Sequence, residues 1–116
     1  MTNPGSRGVR GSRTGRPIMV LLDLLGRRWA LRILWELYDS SPATFRELRD
    51  RCDDVSPSVL NHRLRELRDA RFVELGDDGY CLSAEGRELM RLFKPVSSWA
   101  KRWGQKNTRS TLRIGR

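Results

Sequence analysis

Histidine and cysteine are scarce in this chain of 116 residues: one histidine, His62, and two cysteines, Cys52 and Cys81. Two cysteines do not make the disulfide framework of a small secreted scaffold. Cys52, His62 and Cys81 lack zinc-ligand spacing, so no metal site is expected. No nucleophile–base motif surrounds His62, and no Gly-rich phosphate loop follows a strand. An enzyme is not expected, and no cofactor is implied. Long apolar runs are missing too. The longest, Ile18 to Leu25, is eight residues and contains Asp23, far short of a membrane span. No apolar h-region follows the N-terminus, so no signal peptide is read and a cytoplasmic, nucleoid-associated protein is expected.

Acidic residues are absent from both ends. Residues 1–16 carry Arg7, Arg10, Arg13 and Arg16 and no acid. Residues 104–116 carry Lys106, Arg109, Arg113 and Arg116 and no acid. The net charge is +9, yet residues 17–103 hold all 14 acids and are nearly neutral. A uniformly cationic body is excluded, while an anionic partner stays in view. Three regions follow: a disordered basic arm over 1–16, one domain over 17–103, and a basic tail over 104–116. At 38% hydrophobic, the domain builds one modest core that oligomerisation would complete.

The domain reads mainly as helix. Pro17 suits the first position of a helix that Gly26 closes. That segment is apolar all round, which implies burial on more than one side. Trp29, Ile33, Leu34 and Leu37 predict a second helix over 28–38. Thr44 with Glu47 is a capping box for a third. Ser56 and Pro57 begin a fourth, with Leu60, Leu64 and Leu67 facing inward. The period then changes to two. Phe72–Leu75 and Tyr80–Leu82 predict a hairpin around Gly76-Asp77-Asp78-Gly79. Ser83 caps a last helix, disturbed at Pro95 and fraying from Gly104. This order is a winged helix-turn-helix: mainly α with a small β-hairpin.

The fourth helix carries the function. At about 100° per residue, Ser58, His62, Arg65 and Asp69 point away from the leucines, with Asn61 beside them. Short polar side chains and an arginine there can read base edges in a major groove. Arg65 suits guanine and Asn61 suits adenine. Ser56, Arg63 and Arg68 flank this face as further DNA contacts; surface ion pairing is the alternative for the two arginines. Arg27 and Arg28 precede the second helix, where a phosphate would be favoured.

Three stretches resemble the HxlR family of bacterial winged-helix transcriptional regulators, relatives of the MarR group. They are LDLLGRRWALRILWEL from Leu22, TFRELRDRCDDVSPSVLNHRLRELRDARFVEL from Thr44, and YCLSAEGREL from Tyr80. The resemblance implies a sequence-specific homodimer on double-stranded DNA that controls transcription. It also implies a dimer interface made by the first and last helices. Here that means Ile18, Met19, Leu21, Leu22, Leu25, Phe93, Val96, Trp99 and Trp103. An intrachain core is the alternative for the two tryptophans.

Two departures matter. Many family members carry a cysteine just before the first-helix proline, and in some it senses electrophiles or oxidants. This chain has Arg16 there, so that mechanism does not carry over. Cys52 and Cys81 read as small apolar fillers. The family's wing is usually longer and often basic at its tip. Here Asp77 and Asp78 would repel a phosphate backbone, so a weak wing contribution is expected. The arm arginines could enter a minor groove instead, as homeodomain arms do. Repression is the default over activation. The rival reading is a winged helix that binds protein rather than DNA. No inducer has a signature in the sequence.

Overall fold

A computed structural model describes residues 15–106. Most of the expected arm and tail, including Arg7, Arg10 and Arg13, lies outside the described residues. Five helices and one hairpin follow in order: α1 (Pro17–Leu25), α2 (Ala30–Asp39), α3 (Phe45–Arg51), α4 (Pro57–Asp69), β1 (Val73–Gly76), β2 (Gly79–Leu82) and α5 (Ala84–Lys106). The chain is therefore mainly helical with a small antiparallel hairpin, as expected.

Local chemistry sets most boundaries. Pro17 starts α1, and the Gly26 N–H closes it by donating to the Leu22 carbonyl. At α3 the Glu47 N–H donates to the Thr44 hydroxyl oxygen (3.1 Å), and the Thr44 N–H donates to the Glu47 carboxylate (2.8 Å). This reciprocal box satisfies two donors that helix geometry leaves unpaired. The Ser56 hydroxyl caps α4 by accepting from the Val59 N–H. Asp53 and Asp54, both at positive φ, make the turn between α3 and α4. Aspartate tolerates this conformation better than most side chains do.

Two expectations are corrected. The second helix begins at Ala30 rather than residue 28. Trp29 stands before it with φ 77°, in the left-handed region, and its ring packs against the core. A positive φ at a tryptophan is unfavourable in isolation, so tertiary packing holds it. The last helix also does not stop at 103. It runs through Pro95 to Lys106. Proline removes one backbone donor from a helix. Met90 and Gly104 are buried and Phe93 is packed on the core, so α5 is anchored on both sides of that break.

The hairpin pairs Val73 with Leu82 and Gly76 with Gly79, leaving Asp77-Asp78 as a two-residue tip. Ala43 adds a bridge to Tyr80, with N–H to carbonyl bonds in both directions. Gly79 (φ 130°) is required there. A Cβ on it would lie 2.6 Å from the Ala43 carbonyl oxygen.

One core joins these parts. Ile33, Leu34 and Leu37 of α2 lie within it, with Leu48, Leu60, Leu64, Leu67, Val73, Leu82 and Met90 around them. Helix α2 is the hub, touching α1, α3, α5 and β2. Burying the three leucines of α4 fixes its opposite face outward, and that face is the site.

Candidate nucleic-acid interface

Helix α4 follows α3 across the tight Asp53-Asp54 turn, so the pair forms a helix-turn-helix. Leu60, Leu64 and Leu67 are buried. Ser58, Asn61, His62, Arg65, Arg68 and Asp69 are exposed on the other side. Ser56 is exposed as well, with its oxygen engaged in the cap. A hydroxyl that accepts one bond still has a hydrogen to donate. The structure thus gathers six of the sequence-expected DNA-binding residues onto or beside one outward face.

Arg63 is placed differently. Its Nε donates to the Arg28 carbonyl (2.8 Å) and its Nη1 to Glu66 Oε1 (3.1 Å). Of the two readings its sequence left open, the structure shows the ion pair. Arg27 is also engaged within the protein. It donates to Asp23 (3.1 Å) and pairs with Glu66 across 39 positions of sequence. Burial alone would lower the Arg27 pKa. The Asp23 hydrogen bond and the Glu66 charge outweigh it, so the value is raised and the charge is held firmly. Arg28 is exposed, with its guanidinium 5.8 Å from the centre of the Trp29 ring. Arg16 stands exposed before α1.

Sequence reasoning missed Glu66 as a meeting point. Its carboxylate faces Arg27, Arg63 and His62, whose Nε2 lies 3.3 Å from Oε2. Only the four-residue spacing to His62 was a local signal.

The wing tip is acidic in fact: Glu74, Asp77 and Asp78 are all exposed on the hairpin. Neither cysteine is bonded. Cys52 is buried, and burial pushes its thiol pKa up, against the opposing pull of Arg32. A raised pKa leaves little thiolate, the reactive form.

An apolar stripe lies elsewhere. Ile18 and Leu22 are more than half exposed on α1. Leu92, Val96, Trp99 and Trp103 are exposed on α5 at a 4-3-4 spacing, which puts them on one side of the helix. The Trp99 and Trp103 rings are stacked, 6.1 Å apart and 11° from parallel. Their exposure excludes an intrachain core for that pair within the described residues. Leu92 was not among the sequence-expected interface residues, yet it is the most exposed large apolar side chain (67%) among those described. Leu25 is a correction in the other direction. It is 5% exposed inside the core, because it closes the α1–α2 corner. Met19 is half-buried, and Leu21 and Phe93 pack partly against the core.

Among the described residues, no helix is long and apolar enough to cross a membrane. No cluster of three or more His, Cys, Asp or Glu side chains is placed to hold a metal among them.

A capped helix-turn-helix, a polar outward second helix and a two-stranded wing together define a winged helix-turn-helix protein. A family model for the HxlR-like helix-turn-helix matches residues 24–108, and the chain belongs to that family. The HTH-type transcriptional regulator YodB of Bacillus subtilis is 32% identical over 85 residues, covering 67% of this chain and 75% of YodB. The HTH-type transcriptional regulator YdzF of the same organism is 26% identical over 95 residues, covering 76% and 87% of the two chains. The crystal structure of quinone-bound YodB superposes with a TM-score of 0.68 at 30% identity, over 73% of this chain and 96% of that one. An HxlR-family factor from Thermoplasma volcanium shares the fold (TM-score 0.67, 23% identity, 78% and 86% covered). Regulation of transcription through DNA binding is therefore the function of this family that the chain shares.

Proposed function

We propose that the protein is a homodimeric repressor that binds a pseudo-palindromic operator in the cytoplasm, at the nucleoid. The observation that carries this reading is the outer face of α4. Ser58, Asn61, His62 and Arg65 stand exposed on a helix whose leucines are locked in the core. Donors and acceptors in that arrangement suit the major-groove code. Arg65 would take guanine and Asn61 adenine. Ser56 and Arg68, at the two ends of the helix, would reach phosphates, as would Arg28 near the α2 start. Phosphate contacts set register without carrying sequence.

The exposed apolar residues of α1 and α5 support a dimer. Two copies of α4 would then enter successive major grooves about 34 Å apart. Repression needs only occupancy of a promoter. The arm arginines Arg7, Arg10, Arg13 and Arg16 would add salt-sensitive affinity. Deleting residues 1–12 should shallow the log–log salt slope by about 0.9 for each phosphate that the arm neutralises in the intact protein.

Quinone binding is a property of the YodB structure. No thiol step is proposed for this chain, whose Cys52 is buried with a raised pKa.

Selection of bound sequences from a random duplex pool tests the reading. A two-fold symmetric motif should be enriched. Arg65→Ala and Asn61→Ala should each cost about 1–3 kcal/mol on that motif and relax one base position. The acidic wing tip favours one rival, a winged helix that binds a protein. Failure to enrich any motif, or indifference to both substitutions, would favour that rival.

A further inference from the structure

Glu66 holds three basic groups at the junction between α4 and the α1–α2 corner, although it is only 18% exposed. Its two oxygens are divided between them. Oε1 accepts from Arg63, and Oε2 faces both Arg27 and His62. From there the network continues outward. Arg27 reaches Asp23 on α1, and Arg63 reaches the Arg28 carbonyl in the corner. Asp23, Arg27 and Arg63 side chains are 13%, 26% and 20% exposed, so each charge is sheltered by the others. Partly buried charges of this kind depend on their partners: removing one strands the rest.

We infer that Glu66 is a positioning residue for DNA reading. It ties the reading helix α4 to α1, orients His62, and keeps two arginines out of the phosphate field. This rests on the proposed DNA reading. The Glu66–Arg27 pair fixes the angle of α4 against α1. The Glu66–His62 pair fixes one imidazole edge on the reading face. The carboxylate also neutralises Arg27 and Arg63, which would otherwise seek phosphates on any sequence. Glu66 thereby favours selectivity over raw affinity.

The test is a pair of full-length variants, Glu66→Gln and Arg27→Gln. Binding is measured to the selected motif and to a scrambled duplex of equal length, across a salt series. For Glu66→Gln, the ratio of specific to scrambled affinity should fall about tenfold. Scrambled binding should tighten, with a steeper salt slope by up to about 0.9 per arginine released. For Arg27→Gln, the ratio should fall likewise with the scrambled slope unchanged. That second variant also decides the matter if Glu66→Gln does not fold. A role in stability alone would weaken both duplexes in parallel, and that result overturns the inference. So does an unchanged ratio in either variant, or a shallower scrambled slope in Arg27→Gln. If no motif is selected at all, the DNA reading fails first, and the inference goes with it.

Discussion

The Cα of Gly86 faces the Phe72 carbonyl so closely that a Cβ there would stand 2.2 Å from its oxygen. The first turn of α5 is thus docked directly on the backbone that leads into the wing. Ser83 secures the same junction, donating its hydroxyl to the Arg71 carbonyl and accepting the Gly86 N–H.

Gly86→Ala separates helix propensity from packing. Alanine is the better helix former by about 1 kcal/mol. Overpacking a tight site costs about 1–3 kcal/mol, and here the obstacle is backbone that cannot rotate away. The substitution should therefore destabilise on balance, lowering Tm in a thermal melt. A raised Tm would show that α5 does not dock on Phe72.

Caps were legible in the sequence because their chemistry is local. Thr44 with Glu47, Ser56 with Pro57, and Ser83 each act within three residues. The inward leucines of α4 were legible for the same reason, since one helical period suffices to place them. Trp29 was not. Its positive φ is set by an indole packed against residues distant in sequence, and propensity favours the ordinary region. Glu66 was not either, because its partner Arg27 is 39 positions away and the surface is rich in both charges. Leu25 and Leu22 looked equivalent in an all-apolar segment. Only the packing of α1 on the core shows which one faces inward.

The capping box on α3 makes stability depend on acid. Hydrogen bonds from the Thr44 backbone and side chain hold the Glu47 carboxyl below its ordinary value of 4.5. A depressed folded-state pKa contributes stability above the unfolded value and loses it as pH falls through the folded one. Wild type should therefore exceed Glu47→Gln in Tm at neutral pH. The difference should close as pH is lowered below about 4.5. A gap that persists at low pH would mean that the carboxylate charge is irrelevant to the cap. Thr44→Ala, which removes the other half, should cost about 1 kcal/mol at neutral pH.

The acidic wing offers a test of where affinity comes from. Asp77 and Asp78 form the exposed tip of the hairpin, beyond the last paired residues Gly76 and Gly79. Replacing both with lysine exchanges repulsion of a phosphate backbone for attraction. Binding should tighten on motif and scrambled duplex alike, with a steeper salt slope by about 0.9 for each phosphate newly neutralised. Base preference should stay as it was, because a wing held on phosphate positions without specifying. No change on either duplex would place the wing away from the DNA.

The two classes of apolar residue on α1 and α5 predict opposite phenotypes. Leu25 is core, so Leu25→Ala should cost about 2–5 kcal/mol and lower Tm in any oligomeric state. Val96 and Trp99 are half or more exposed, so the single chain gains little from either. Surface substitutions away from special features usually change stability by less than about 0.5 kcal/mol. Val96→Glu and Trp99→Ala should therefore retain helical content. If the stripe joins two copies, both variants should sediment as monomers at concentrations where wild type is a dimer. Operator affinity should then fall, since one reading helix no longer brings the second with it. A dimer that survives Val96→Glu would move the interface off α5, because a carboxylate in the middle of an apolar interface has no partner there to offset its desolvation.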